Sequence, residues 1–494
     1  MPTAAGETAM KKRALSRRDF LGMTATAAAV AATPRFAFAQ KQVQEHATVI
    51  VIGAGLAGLT TARNLVAAGL ERVIVLEARD RVGGRTLNLP VGHGHVVEGG
   101  GEWIGPGQDR IAALAEELKV GTFPSYYDGK TTYDIEGKVS RGLLLPDVEI
   151  KQGYDFVQAA WKLERMSREL PVGSPWDIPN AAELDRQTLG DWLSKNTSTT
   201  YAYSVFRIIT RAIMSGYPER ISLLWFLHYM RSAGGILRLI LNDGGAQDLR
   251  FEGGSQLVSI RMAEQLGDRV RLEQPVRTVE RRADGKLRIE TINTAYTADH
   301  LVVAMMPADT LRIHFVPGLP QRHTELARGW ARLPRLPLLK LAVVYAKPFW
   351  REAGLNGAMQ SDISPLQLVF DNSPEDGSLG VLSCFMSPAE APHLADRKAR
   401  EAGVIQELVR YFGPQAAKYT GYVEKDWALD PWSTGCITPL TPGLLSVGGP
   451  ALREPVGPIH WAGTETSEIW CGFMDGAVRS GERAAKEVLA ALAG

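Results

Sequence analysis

Across 494 residues the charges nearly cancel, 55 Lys and Arg against 54 Asp and Glu, for a net charge of +1. That balance argues against a nucleic-acid partner, which needs surplus basic charge on one face. The three cysteines, Cys384, Cys436 and Cys471, are too few and too scattered for a disulfide framework or a zinc site, while the length and the 45% hydrophobic content allow about two or three well-filled domains.

The first segment reads as an address, not as fold. Lys11, Lys12 and Arg13 lead into Ser16-Arg17-Arg18-Asp19-Phe20-Leu21, then an alanine-rich apolar stretch and Ala37-Phe38-Ala39. Basic region, apolar stretch and small-residue cleavage site, with paired arginines, predict a signal peptide over 1–39 for the twin-arginine export machinery. The apolar stretch is too short and alanine-rich to span a membrane, and no later run reaches about 18 continuous apolar residues. The mature protein is expected to be periplasmic or secreted, without a membrane anchor.

Next, Val49-Ile50-Val51-Ile52 predicts a buried strand entering Gly53-x-Gly55-x-x-Gly58, and a helix starts near Leu56. A second strand, Val73 to Leu76, ends on Glu77, about 20 residues beyond the glycines, as a dinucleotide site needs. Gly53 permits the tight turn, Gly55 lets backbone approach a pyrophosphate, Gly58 lets helix pack on strand, and Glu77 suits a ribose hydroxyl. Arg81-Val82-Gly83-Gly84-Arg85-Thr86 follows, with a helix from about Asp109. Residues 122–251 are rich in aromatics and read as helices, as in Leu223 to Met230. From Val270 to Ala304 the apolar period is two, which predicts strands with a hairpin turn at Asp284-Gly285. Further strands are expected at Leu338 to Tyr345 and Ile459 to Ala462, and a last amphipathic helix from about Asp475 to Leu492.

Nucleotide-like segments thus alternate with segments of another character. The expected fold is α/β: a discontinuous Rossmann-like domain from 46–122, 252–329 and 427–490, with an inserted α+β domain from 123–251 and 330–426.

Several segments, in order along nearly the whole chain, resemble the flavin-dependent monoamine oxidases. They are the glycine turn, Glu77 to Thr86, Gly100-Gly101-Glu102-Trp103-Ile104-Gly105-Pro106, Phe251-x-Gly253-Gly254-Ser255, Leu272 to Val276, Lys340 to Arg351, Trp432-Ser433-Thr434-Gly435-Cys436, and Gly463-Thr464-Glu465-Thr466 through Trp470 to Ala477. The resemblance implies FAD as cofactor and oxidation of a small-molecule amine with dioxygen reduced to hydrogen peroxide. It assigns Glu77 and Arg79 to the adenosine ribose, Gly84 and Arg85 to the pyrophosphate region, Val276 to the adenine end, and Thr464 and Met474 to the flavin end. A helix start there stabilises negative charge that develops on reduction.

The pattern around Lys340 allows either an outward strand residue or a buried functional amine; the resemblance implies the second, as the catalytic lysine. Cys436 stands where family members carry FAD as a thioether, which implies a covalent link. Two pocket positions fit the family, Gln247 as a polar contact and Ile240 as an apolar gate. Two depart from it: Ile437 and Phe473 stand where a pair of tyrosines usually flanks the amine, so substrate preference does not carry over. A homodimer is compatible with the sequence, and no metal site is expected. Three other readings remain open at this level. One is an L-amino-acid oxidase, which needs an arginine such as Arg207, Arg211 or Arg231 for the carboxylate; the others are an amine dehydrogenase serving a periplasmic electron carrier and a non-catalytic flavin-binding protein.

Overall fold

The computed structural model describes residues 43–494 apart from 93, 144–147, 333–337, 388, 434 and 436–438. The signal segment 1–39 and two predicted site residues, Cys436 and Ile437, lie outside the described residues.

The strand Val43–Ile52 is the axis of the first sheet. It pairs in parallel with Val73–Leu76 on one side and Ala295–Ala304 on the other. Val270–Arg271 extends the parallel run at one edge and Ile459–Ala462 at the other. Val276–Arg281 and Leu287–Thr291 form the antiparallel hairpin expected around Asp284-Gly285, and that hairpin packs onto Ala295–Ala304. Parallel strands need both faces covered, which explains why Val49, Ile50 and Val51 are fully buried. The helices Leu56–Ala67 and Met474–Ala493 cover one face, beside Val49, Val51 and Val75. Ile50, Ile52 and Leu76 point the other way, into a core with Tyr296 and Trp461. Each such side chain contributes about 1.5–3 kcal/mol by leaving water. This is a Rossmann-like sheet.

The second sheet has seven strands, in the order Gly421–Asp426, Leu339–Tyr345, Gly380–Met386, Leu366–Asp371, Leu355–Ser361, Lys130–Ile135, Lys138–Gly142. Its last two strands correct the helical reading of 122–251. Thr131-Thr132-Tyr133 is β-branched and aromatic, and Glu136 and Gly137 both take positive φ (54° and 79°), a two-residue turn that closes a tight hairpin. The helices do follow: Ile150–Arg168, Thr200–Met214 and Leu223–Ala233 surround a core containing Phe206, Trp225 and Phe226. Among the described residues no helix is long and apolar enough to cross a membrane.

Candidate active site

The first strand ends at Gly53, whose φ of +102° suits glycine alone. A Cβ on Gly58 would lie 1.9 Å from Gly53 O, so only glycine lets the helix start this close to the strand. No side chain caps that helix at Gly55. The amides of its first turn therefore open on a cavity of about 320 Å³, which Gly53, Gly55, Leu56 and Ala57 line. The Gly83-Gly84 turn closes against the same glycines, with Gly83 N donating to Ala54 O at 2.8 Å.

Glu77 follows the second strand at this end of the cavity. Its Oε2 accepts from Ala54 N at 2.8 Å and its Oε1 from Arg79 N at 2.9 Å. Each oxygen keeps a lone pair for a sugar hydroxyl. Gln274, Pro275 and Val276 line the same end, and Gln274 N donates to Glu77 O at 2.7 Å. Arg79 pairs with Asp430 at 2.6 Å, and Lys425 reaches the other Asp430 oxygen at 3.0 Å. Burial pushes the Asp430 carboxyl up, but Arg79 and Lys425 outweigh it and hold it below the usual carboxylate range. Arg85 forks onto Glu465, at 2.6 and 3.1 Å, on the cavity wall. An uncapped helix start, an acid at ribose distance in sequence and glycine walls that a Cβ would invade together fit a dinucleotide such as FAD.

Lys340 is buried, at 2% exposure, so it does not face solvent. Its strand lies inside the second sheet, and every residue from Leu339 to Tyr345 is buried on one face or the other. Lys340 Nζ donates to Glu102 Oε2 at 2.5 Å and to Gly100 O at 2.9 Å. Glu102 is delivered by the Gly99-Gly100-Gly101 run, where Gly101 N donates to Arg85 O at 3.0 Å and a Cβ on Gly100 would strike that same oxygen. Behind the pair, Arg250 donates to Glu98 Oε2 at 3.1 Å and to Asn372 Oδ1 at 3.0 Å, and its Nε lies 3.5 Å from Glu102 Oε1. Asn372 Nδ2 bridges the two carboxylates. Burial pushes the Glu102 carboxyl up and Glu98 adds to that; Lys340 and Arg250 oppose, and the net direction is upward. Rings surround the amine. Lys340 Nζ stands 5.3 Å from the Trp103 centroid and 5.1 Å from that of Phe385, and Phe370 packs edge-on against both rings.

The cavity continues past Lys340 along Trp103, Ile213, Ala246, Leu368, Phe370 and Phe385. Gln247 lines it too; its Nε2 donates to Leu239 O at 3.3 Å, while its buried Oε1 has no partner among the described residues. Phe473 also lines it, its ring 4.9 Å from Trp470 and 5.7 Å from Tyr229. Thr464 Oγ1 donates to Phe473 O at 2.7 Å, and Met474 opens the last helix; both reach the cavity. Ile240 does not: it ends the short helix Ile236–Ile240 and packs on the helical core instead. Nor do the arginines considered for a carboxylate. Arg211 pairs with Glu390 at 2.9 Å, Arg231 donates to Leu170 O at 3.1 Å, and Arg207 lies over the Tyr217 ring. Among the described residues, the arginines lining the cavity are Arg79, Arg85 and Arg312, the last paired with Asp309 at 3.3 Å.

One cavity therefore joins Gly53, Gly55, Glu77, Arg79, Gly84, Arg85, Val276, Gln247, Lys340, Thr464, Phe473 and Met474, with Gly58 just behind its wall. The sequence reading did not single out Glu98, Glu102, Arg250, Asn372, Trp103, Phe370 or Phe385. Only Glu102 and Trp103 carried a signal, as a charged and an aromatic residue directly after a glycine run.

Comparison with known proteins places this geometry. The profile of the flavin-containing amine oxidoreductases matches residues 56–489. A Mycobacterium tuberculosis protein that carries the name flavin-containing monoamine oxidase AofH is 39% identical over 448 residues, covering 90% of this chain and 97% of that one. Equus caballus amine oxidase A is 36% identical over 454 residues, 90% of this chain and 85% of its own. The structure of cyclohexylamine oxidase from Brevibacterium oxydans superposes with a TM-score of 0.85 at 32% identity, covering 91% of this chain and 100% of that one.

Proposed function

Because the chain belongs to the flavin-containing amine oxidoreductases, we propose that it oxidises an amine with an apolar body to the imine while dioxygen is reduced to hydrogen peroxide. The imine then takes up water to give an aldehyde or ketone and releases ammonia or an amine. The single observation behind the substrate class is the lining beyond Lys340: apolar and aromatic, with a Gln247 Oε1 that has no partner among the described residues. An apolar cavity disfavours the charged form of the substrate, so the neutral amine is the species it selects. The arginines that line the cavity are engaged with Asp430, Glu465 and Asp309, which speaks for an amine over an amino acid.

FAD, when bound, supplies the two-electron acceptor. The chain's part is to hold and to exclude. Gly53, Gly55, Gly84 and Arg85 take the pyrophosphate region, Glu77 and Arg79 the ribose, Val276 the adenine end, and Thr464 and Met474 the flavin end. Lys340 is the amine facing the reacting centre, Gln247 orients the substrate nitrogen, and Phe473 with the Trp103 cluster keeps water out. Cys436 is proposed as the covalent anchor of FAD, and the twin-arginine segment as the route to the periplasm.

A panel of aliphatic, aromatic and polyamine substrates beside L-amino acids, read by peroxide release and anaerobic flavin bleaching, tests the reading. Peroxide from apolar amines is expected. Bleaching without peroxide points to a dehydrogenase, turnover of amino acids alone to an amino-acid oxidase, and no bleaching at all to a non-catalytic protein. For the anchor, the denatured protein is expected to keep an FAD-sized mass increment that Cys436→Ala loses; for the route, Arg17→Lys with Arg18→Lys is expected to leave the protein in the cytoplasm on fractionation.

A further inference from the structure

The Lys340–Glu102 pair is more than a buried lysine finding a counter-charge. Two of the three ammonium hydrogens are committed, one to Glu102 Oε2 at 2.5 Å and one to Gly100 O at 2.9 Å. That leaves one for the cavity, which both residues line. Glu102 is fixed from behind, because Asn372 Nδ2 donates to its other oxygen and Arg250 Nε lies 3.5 Å from the same atom. We propose that Glu102 is the positioning residue for Lys340: it holds the amine in the cavity wall with its charge cancelled, so that the lysine faces FAD as half of a neutral pair.

Wherever the proton lies along the 2.5 Å contact, the pair carries no net charge, and the Glu98–Arg250 pair behind it carries none either. The other charged groups around Lys340 are already matched. Lys425, opposite it on Gly421–Asp426, pairs with Asp430 at 3.0 Å, and Asp371, before Asn372, pairs with Arg351 at 2.8 Å. On Gly380–Met386 the lysine stands opposite Phe385, an uncharged ring. Near Lys340, removing Glu102 thus leaves one unmatched charge. An unmatched cation beside the flavin favours the reduced, more negative form and raises the reduction potential.

The inference rests on FAD binding in this cavity and not on which amine is oxidised, so its readout is the midpoint potential of FAD in the holoenzyme without substrate. In Glu102→Gln the potential is expected to lie above that of the unchanged protein at neutral pH, because the Lys340 cation has lost its counter-charge. The double variant Glu102→Gln with Lys340→Met is expected to show no excess. A Glu102→Gln potential equal to the unchanged protein's overturns the proposal, as does an excess that survives in the double variant. Should Glu102→Gln fail to accumulate as folded holoenzyme, the double variant decides. Its recovery supports the pairing; its failure assigns Glu102 to Arg250 and Asn372 instead and overturns the proposal. Failure of every substrate in the amine panel leaves this test intact.

Discussion

The two ends of the cavity are built from different materials. Toward Glu77 the wall is backbone: glycines at 53, 55, 83 and 84 with Gly58 just behind them, a helix start and two strand ends, all close in sequence apart from the segment at Val276. Beyond Lys340 the wall is side chains, each contributed by a separate segment: Trp103, Ile213, Gln247, Lys340, Phe370, Phe385 and Phe473. The first end is intolerant of added volume, since carbonyl oxygens cannot move aside. The second end accepts changes of volume more readily but is intolerant of an unmatched charge, because four ionisable groups, Lys340, Glu102, Glu98 and Arg250, lie buried together there. Each end should therefore fail in its own way.

The largest effect is expected from Gly58→Val. The new side chain meets Gly53 O at 1.9 Å, helix and strand must part, and a loss of about 3 kcal/mol together with loss of FAD follows. The ratio of flavin to protein absorbance reads this directly; full FAD content in the variant would show that the contact yields. Arg250→Met probes the other end. It leaves Glu98 and Glu102 facing each other without a guanidinium, at a cost of about 3–5 kcal/mol in urea unfolding of the holoprotein. Adding Glu98→Gln should recover part of that loss, because the two changes share one network. Strictly additive losses would mean that Arg250 acts through packing on Phe123, not through charge.

The same difference explains what could be read beforehand. Glycine spacing, the alternation of strands and the acid at 77 encode backbone conformation over a few neighbouring residues, so the Rossmann-like sheet and its dinucleotide end were legible. Lys340 was legible as a candidate only through family resemblance, since strand alternation alone allowed it to face solvent. Its burial comes from strands on both sides and the Trp103 cluster on its face, which are tertiary facts. Arg250 and Asn372 gave no signal, because their partners lie more than 100 residues away. The hairpin at Glu136-Gly137 was hidden by the surrounding aromatic richness, although its turn residues carried the necessary cue. Ile240, the gate implied by resemblance, ends the short helix Ile236–Ile240 and packs on the helical core.

Gln247→Leu should have a smaller and more selective effect. Losing one acceptor costs about 1 kcal/mol, so KM for a good amine is expected to rise about 5- to 10-fold with kcat little changed. A fall in kcat at constant KM would move Gln247 from binding to the reacting centre.

The smallest effect concerns the buried anchor between the ends. Asp430 holds Arg79 at 2.6 Å and Lys425 at 3.0 Å, and it accepts from Trp432 N at 2.9 Å. Burial acts to raise its pKa, but these partners outweigh burial and depress it. A carboxyl depressed in the folded state is protonated first in the unfolded chain as pH falls. Its stabilisation is therefore complete above the ordinary aspartate value near pH 4 and is lost as pH falls through the folded value. Asp430→Asn lacks that proton-linked part. The gap between the urea midpoints of the two proteins should be widest above about pH 5 and should narrow toward about pH 3. A gap that stays constant across this range would mean that Asp430 serves by shape and hydrogen bonding alone, and that Arg79 is held in place without the help of its charge.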